Sequence, residues 1–426
     1  MKEQWKHPLL DETLIKQTHE SGLEVWMIPK PDFQGTHASF FVQYGSNQNR
    51  YKADGTVWDM PEGIAHFLEH KIFESSEENI FNVFASQEAS VNAYTNFVST
   101  CYHFNATDRF DKNLDTLLRF VQNPMITPEN VEKEKGIIAQ EIRMYEDNPD
   151  WRVYFNTLKA LYSVHPVRTD IAGTVESIGR ITADDLLKAY GHWYTPKRMK
   201  VFAIGSLDPD QAFETVQKAL EPAFLKRNHL AEEVLDKEPE AVASPWVEEE
   251  FSVPVPIFFI GIKDLPGFTP EELTLKTTVS SLVMDVLFGR SSELYQRLTE
   301  KGLINGSYGS EYSAEPGYAH GILGGESTDP ERVHQIVRDF LKNEAQQWIR
   351  PSEIERVKRK TLGRFLQMCN SLEGLGRTSV SLLNRGITPF DYFDCLQNLT
   401  LKQVEDCFEI MKDESRMTVS VVRSRK

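Results

Sequence analysis

Pro61-Glu62-Gly63-Ile64-Ala65-His66-Phe67-Leu68-Glu69-His70-Lys71-Ile72-Phe73 is the stretch around which the rest of the chain is organised. At 3.6 residues per turn it predicts a helix with His66 and His70 on one face and Glu69 about 60° around the axis from His66. Two imidazoles at i and i+4 beside a carboxylate make a grip for one zinc ion and a base for its water. His-x-x-Glu-His is also the inverted form of a common zinc-site signature. The bland alternative is a surface helix that carries two histidines by chance. Against it, only 11 histidines occur in 426 residues, and Ile64, Phe67, Leu68, Ile72 and Phe73 are too apolar for a solvated face.

A third ligand has to come from elsewhere. Thr127-Pro128-Glu129 opens a long helical pattern, with Thr127 as cap and Pro128 in the first turn. Glu134 and Glu141 lie seven residues apart on it, and so project from nearly one line beside Ile137, Ile138 and Ile142. Carboxylates half buried among isoleucines are costly without a cation or hydrogen-bond partner. Glu132, Lys133 and Lys135 show that the helix also has a wet side, so an ordinary charged stripe is the competing reading. Glu141 is the candidate third ligand, giving two His, one Glu and an open position for water. His165, followed by the helix-breaking Pro166, reads as structural.

Around these helices, Gly22 to Pro29, Ala38 to Tyr44 and Thr100 to Asn105 read as strands, as does Met199 to Ile204. Phe81 to Gln87, Asp111 to Val121, Trp151 to Ser163, Ile181 to Trp193 and Asp208 to Leu220 read as helices. Residues 226 to 245 are acidic and polar and read as a linker. Beyond it the pattern repeats. Ile181-Thr182 and Arg198-Met199-Lys200-Val201 are echoed by Leu399-Thr400 and Arg416-Met417-Thr418-Val419, at a constant offset of 218 (399 − 181 and 416 − 198). Phe258 to Ile262 matches Ala38 to Tyr44, Glu272 to Phe288 takes the place of the histidine helix, and Pro351 to Leu366 that of the Pro128 helix. The second copy has no histidine pair, and it places Val357 opposite Glu134 and Arg364 opposite Glu141. One metal site per chain follows. The expected division is 1–228 with the metal site, an acidic linker at 229–245, and 246–426 as a homologous domain without one.

Composition sets outer bounds. Sixty-three acidic residues against 47 Lys and Arg give a net charge of −16, which argues against nucleic acid as a partner. Cys101, Cys369, Cys395 and Cys407 lack Cys-x-x-Cys spacing, so neither a disulfide framework nor a thiolate metal site is expected. Nothing approaches the roughly 18 apolar residues of a membrane span, and Met1 to Ile15 is charged rather than leader-like. A reducing cytoplasm and no membrane association are the expectation.

The two motifs, His66-Phe67-Leu68-Glu69-His70 and Glu134-Lys135-Gly136-Ile137-Ile138-Ala139-Gln140-Glu141, together resemble the pitrilysin/insulinase family of zinc peptidases. The length is similar to that of its short branch, which includes the mitochondrial processing peptidase and paired bacterial proteins. Gly22-Leu23, Gly45-Ser46, Asn92-Ala93-Tyr94-Thr95, Asn123-Pro124 and Asp147-Asn148-Pro149 extend the resemblance over most of residues 20 to 205. It implies an α+β fold of two homologous α/β-sandwich domains, each a mostly antiparallel sheet covered by helices, in a clamshell. It implies Zn2+ on His66, His70 and Glu141, Glu69 as general base, and Glu134 as a supporting carboxylate. Asn92 and Ala93 would pair with an extended peptide substrate as an added strand. The implied activity is that of a zinc endopeptidase or oligopeptidase acting on unfolded peptides in a chamber of four homologous domains.

One departure bears on partners. The family uses an Arg and a Tyr, seven residues apart in the second half, to hold substrate and stabilise the oxyanion. Matching Leu294-Tyr295-Gln296 and Gly302-Leu303 places Thr299 and Asn305 at those positions, and counting from Arg297 places Ile304 at the Tyr position. Lost oxyanion donors typically cost about 100- to 1,000-fold in rate. The pair is expected from a second, homologous insulinase-like subunit in a heterodimer. The alternatives are a self-sufficient homodimer in which Arg297 or Tyr308 reaches the site, and a non-catalytic interaction subunit.

Overall fold

A computed structural model describes residues 2–74, 79–229, 231–267 and 269–425. Met1 and Leu230, at the edge of the expected first domain and in the expected linker, lie outside them, as do Phe268 and Lys426. The chain begins with β1 (Lys2–His7), β2 (Glu12–Thr18), β3 (Glu24–Pro29), β4 (Thr36–Val42) and a hairpin of β5 (Arg50–Ala53) and β6 (Thr56–Asp59). Helices α1 (Ile64–Phe73) and α2 (Ile80–Ser86) lead to β7 (Ala89–Thr95) and β8 (Thr100–Ala106). Next come α3 (Phe110–Gln122), α4 (Pro128–Glu146), α5 (Pro149–Leu161), α6 (Val175–Gly179) and α7 (Ala183–Trp193). β9 (Met199–Gly205), α8 (Pro209–Ala219) and α9 (Pro222–Leu225) complete the first repeat.

The second repeat runs β10 (Glu232–Glu233), β11 (Trp246–Glu250), β12 (Ile257–Asp264), α10 (Pro270–Phe288), α11 (Glu293–Glu300), β13 (Gly309–Glu315) and β14 (Tyr318–Glu326). It ends with α12 (Pro330–Asn343), α13 (Pro351–Met368), α14 (Leu372–Asn384), α15 (Pro389–Gln397), α16 (Leu401–Ile410) and β15 (Met417–Arg423).

The expected repeat is visible in the sheets. The first has seven strands in the order β1-β2-β3-β9-β4-β8-β7, and the second has five in the order β11-β15-β12-β14-β13. β3 and β9 are parallel, as are β11 and β15, and every later pair in each series is antiparallel. The second sheet therefore repeats the first from β3 out to the β7 edge, without counterparts of β1 and β2. Thr182 and Thr400, 218 residues apart, both form capping boxes, on α7 and α16.

By contact the chain forms two units, residues 1–142, 170–234 and 366–384 in one, and 143–169, 235–365 and 385–426 in the other. In the first, α14 packs on β4 and β9. In the second, α5 packs on β12 and β15. Each sheet is thus covered by a helix from the other half of the sequence.

Two hairpins lie beyond the sequence expectation. In β1–β2, β1 is the mostly exposed edge strand, while β2 beside it buries Leu14 and Ile15. β5–β6 turns at Asp54-Gly55, both with positive φ, a turn signal present in the sequence. The acidic stretch 226–245 is not free coil. Glu232 and Glu233 pair with β5, and in the second unit Glu238 accepts the backbone N–H groups of Ser163, Val164 and His165.

The entry to α1 is the tightest point of the first unit. Gly63, its N-cap, has φ 86°, and a Cβ there would meet the Ala172 carbonyl oxygen at 2.3 Å. Ser177 Oγ, inside the capping box of α6, donates to the Glu62 carbonyl at 2.9 Å. Ala172 and α6 thereby fix where α1 starts. Gly63→Ala is expected to cost about 1–3 kcal/mol for the backbone alone, plus the collision. Gly55→Ala, at φ 80° with open space around it, carries the backbone term only. Urea midpoints should therefore fall further for G63A than for G55A, and equal losses would show that the Ala172 contact does not constrain α1.

Candidate metal centre

α1 buries Ile64, Ala65, Phe67, Leu68, Lys71 and Ile72, and its remaining face presents His66, Glu69 and His70. α4 is capped as expected: Asn130 N–H donates to Thr127 Oγ1 at 3.3 Å and Thr127 N–H to Asn130 Oδ1 at 3.0 Å. Its buried line is Val131, Glu134, Ile138, Ala139 and Ile142, while Ile137, expected on that line, is exposed.

Among the described residues, one group of at least three His, Cys, Asp or Glu side chains converges tightly enough to hold an ion: His66, His70 and Glu141, with donor atoms within 4.8 Å of one another. His66 Nε2 lies 3.8 Å from Glu141 Oε1, and His70 Nε2 lies 3.4 Å from Glu141 Oε2. Ligands of a tetrahedral zinc at about 2.0–2.1 Å sit roughly 3.3–3.4 Å apart, so these spacings suit one ion after small adjustments.

Charge leads to the same fit. Around the histidines stand Glu69, Glu134 and Glu141, while the Lys71 ammonium is shared between Glu134 and Glu74, so carboxylates outnumber cationic side chains and a bound cation suits the site. Lys71 is fully buried, 4.0 Å from Glu134 Oε2, and is also ion-paired with Glu74. No motif marks this residue; its one signal in the sequence is that of a lysine on the apolar side of the histidine helix.

Glu134 accepts a hydrogen bond at 3.0 Å from His70 Nδ1, which turns Nε2 of that ring toward Glu141. Burial disfavours an imidazolium at His70, yet the hydrogen bonds to Glu134 and Glu141 outweigh it and raise its pKa to about 10. His66 goes the other way, down to about 4, through burial and then the neighbouring His70 charge. Its Nδ1 is buried with no hydrogen-bond partner among the described residues, leaving Nε2 as the nitrogen directed at Glu141. Burial would raise the Glu134 carboxyl, but His70 and Lys71 hold it below the usual range; Glu141 is lowered first by its hydrogen bond to His70. Glu69 is pushed up by burial, against one hydrogen bond, from Thr95 Oγ1 at 2.7 Å. Thr95 is thus a site residue to which its sequence motif alone assigns no role.

Asn92 and Ala93 lie on β7, the edge of the seven-stranded sheet, opposite His103 and Tyr102 of β8. Asn92 Oδ1 accepts the Ala93 N–H at 2.8 Å. β7 packs directly against α1. His165 is structural: buried, with Nδ1 accepting from Val167 N–H at 3.1 Å. In the second unit Thr299 is on α11, and Asn305 donates to Glu326 at 2.6 Å. Arg297 is held by Glu344 at 2.9 and 2.7 Å, and Tyr308 is buried against Tyr295.

Residues 53–175 match the model of the insulinase peptidase family, M16, and residues 180–361 match that of the M16 inactive domain. The chain belongs to this family of zinc peptidases, and its cofactor is zinc. It is 38% identical over 418 residues to the uncharacterised zinc protease YmfH of Bacillus subtilis, covering 97% of each chain. The crystal structure of an M16-like peptidase from Alicyclobacillus acidocaldarius superposes with a TM-score of 0.94 at 35% identity, over 99% of this chain and 100% of that one. The beta subunit of the mitochondrial-processing peptidase of Dictyostelium discoideum is 24% identical over 380 residues, 82% of this chain and 78% of its own.

Glu134 and Glu141 hold His70 protonated without metal while burial keeps His66 neutral, so zinc binding is expected to expel the His70 proton, to which any proton lost by zinc-bound water adds. Calorimetry in buffers of different ionisation enthalpy is expected to report at least about one proton at pH 7–8, with apparent zinc affinity rising at least about tenfold per pH unit in this range. No proton release would refute the assigned protonation of His70.

Proposed function

We propose that this chain is a zinc endopeptidase or oligopeptidase that hydrolyses unfolded peptides, with His66, His70 and Glu141 as ligands and Glu69 as general base. The convergence of two imidazoles and a carboxylate beside a second, separately held carboxylate carries this reading. Three protein ligands leave a position open, whereas structural zinc sites are normally closed by four. Zinc, when bound, supplies a Lewis acid that polarises a carbonyl and brings the pKa of water towards about 7.

The chain's own groups supply the rest. Glu134 keeps His70 Nε2 directed at the ion by holding Nδ1. Glu69, anchored through one oxygen, has the other to take a proton from the attacking water and return it to the leaving amine nitrogen. A substrate laid along β7 at Asn92 and Ala93 would gain backbone hydrogen bonds that any sequence can make. We take the division at 229–245 as the boundary between a catalytic and a metal-free repeat.

We further propose that the working enzyme is a heterodimer enclosing a chamber, this chain being its zinc-bearing half. Neither sequence register, the one with Thr299 and Asn305 nor the one with Arg297 and Ile304, restores the family's Arg and Tyr pair, and Arg297 and Tyr308 are engaged within the second unit. Full peptide cleavage by the purified chain alone would sink this part of the proposal, and a similar-sized partner found by co-purification and mass spectrometry would support it. Glu69→Gln is expected to bind one zinc per chain and lower cleavage by at least about 100-fold. Zinc-dependent cleavage that survives E69Q would remove Glu69 as the base.

A further inference from the structure

Thr95 closes β7 directly opposite Thr100 of β8. Its Oγ1 lies 2.7 Å from Glu69 Oε2 and 3.2 Å from Thr100 Oγ1, while Thr100 donates to the Tyr44 carbonyl at 2.9 Å. Thr100 and Tyr44 are both fully buried, and Tyr44 stacks on Trp193 with ring centroids 5.0 Å apart. With the Thr100 proton directed to that carbonyl, the Thr95 proton has the carboxylate as its acceptor. No other hydrogen bond to Glu69 is found among the described residues, so a single hydroxyl decides how its carboxylate faces.

Resting on the peptidase reading above, we infer that Thr95 is the positioning residue of the general base, tying the Glu69 carboxylate to the strand on which substrate is laid. Glutamate has three rotatable side-chain bonds, and a base must stand within hydrogen-bond reach of the proton it takes. The anchor is stiff because it belongs to a β ladder and not to a loop. Side chains alternate along a strand, so Thr95 shares a face of β7 with Ala93. A peptide paired at Ala93 therefore adds order to the same short segment that holds the base. The Asn92-Ala93-Tyr94-Thr95 motif thereby serves twice, its early residues meeting the substrate and its last residue aiming the carboxylate.

The test compares Thr95→Val, which keeps the shape and loses the donor, with Thr95→Ser, which keeps the donor. Both are assayed on an unfolded peptide in the assembly in which the wild type works. T95V is expected to hold one zinc per chain and leave KM within about twofold while kcat falls about 10- to 100-fold, the range for a hydrogen bond to a charged group. T95S should recover kcat to within about threefold. The crystal structure of T95V should show the Glu69 carboxylate turned out of its wild-type position. Wild-type kcat in T95V, equal damage in T95S, a rise in KM with kcat intact, or an unmoved Glu69 would each overturn the assignment. A wild type with no zinc-dependent cleavage would defeat the peptidase reading, and the position of Glu69 in the T95V crystal would then decide the anchoring by itself.

Discussion

The structure depends on keeping charge at the α1–α4 contact, where the sequence takes ionisable groups out of water. Glu134 is nearly buried and Lys71 completely so, and an unpaired charge in either place would be prohibitive. The cluster is tolerated because each member faces an opposite charge or a donor: Glu134 between His70 and Lys71, Glu141 across from both histidines, and Glu69 under Thr95. Carboxylates still outnumber the cationic side chains, and a bound cation is the simple complement. The same balance explains why the entry of α1 is so tightly built. A helix that drifted by an ångström would lose several of these pairings together.

The sheet does more than support this contact. Its edge strand, β7, packs on α1, so the free edge of the sheet lies beside the helix that bears the histidines. Thr95 joins the two through a hydrogen bond rather than through packing. Under the proposed peptidase reading, affinity and chemistry would then share a rigid element.

The second repeat shows what remains when that charge balance is withdrawn. Its sheet follows the same order and sense of pairing, yet in the sequence register Val357, fully buried, falls opposite Glu134 and Arg364 opposite Glu141. On its α10 and α13, Asp285 and Lys360 simply satisfy each other at 2.6 and 2.7 Å. A half-dismantled metal site would strand buried carboxylates, so loss of the ligands and loss of their supporting charges belong together. Backbone pairing and core packing, which do not involve the metal, are what the two copies keep in common.

The local sequence determined the histidine helix, the Pro128 helix with its Thr127 cap, the internal repeat, and the combination of His66, Glu69, His70 and Glu141. Each of these is written in spacing, and spacing becomes geometry as soon as a helix forms. Tertiary structure decided the rest. Lys71 has no motif of its own and the motif that contains Thr95 assigns that residue no role; the importance of both comes from what lies across from them on other elements. Ile137, read with Ile138 and Ile142 as one line, lies about 100° around the axis from Ile138 and is exposed on the formed helix. The exchange of α5 and α14 between the two sheets depends on contacts between residues far apart in the chain. No local pattern encodes which distant surface a segment will cover, because that is settled only when the competing ways of burying the same apolar faces are resolved together.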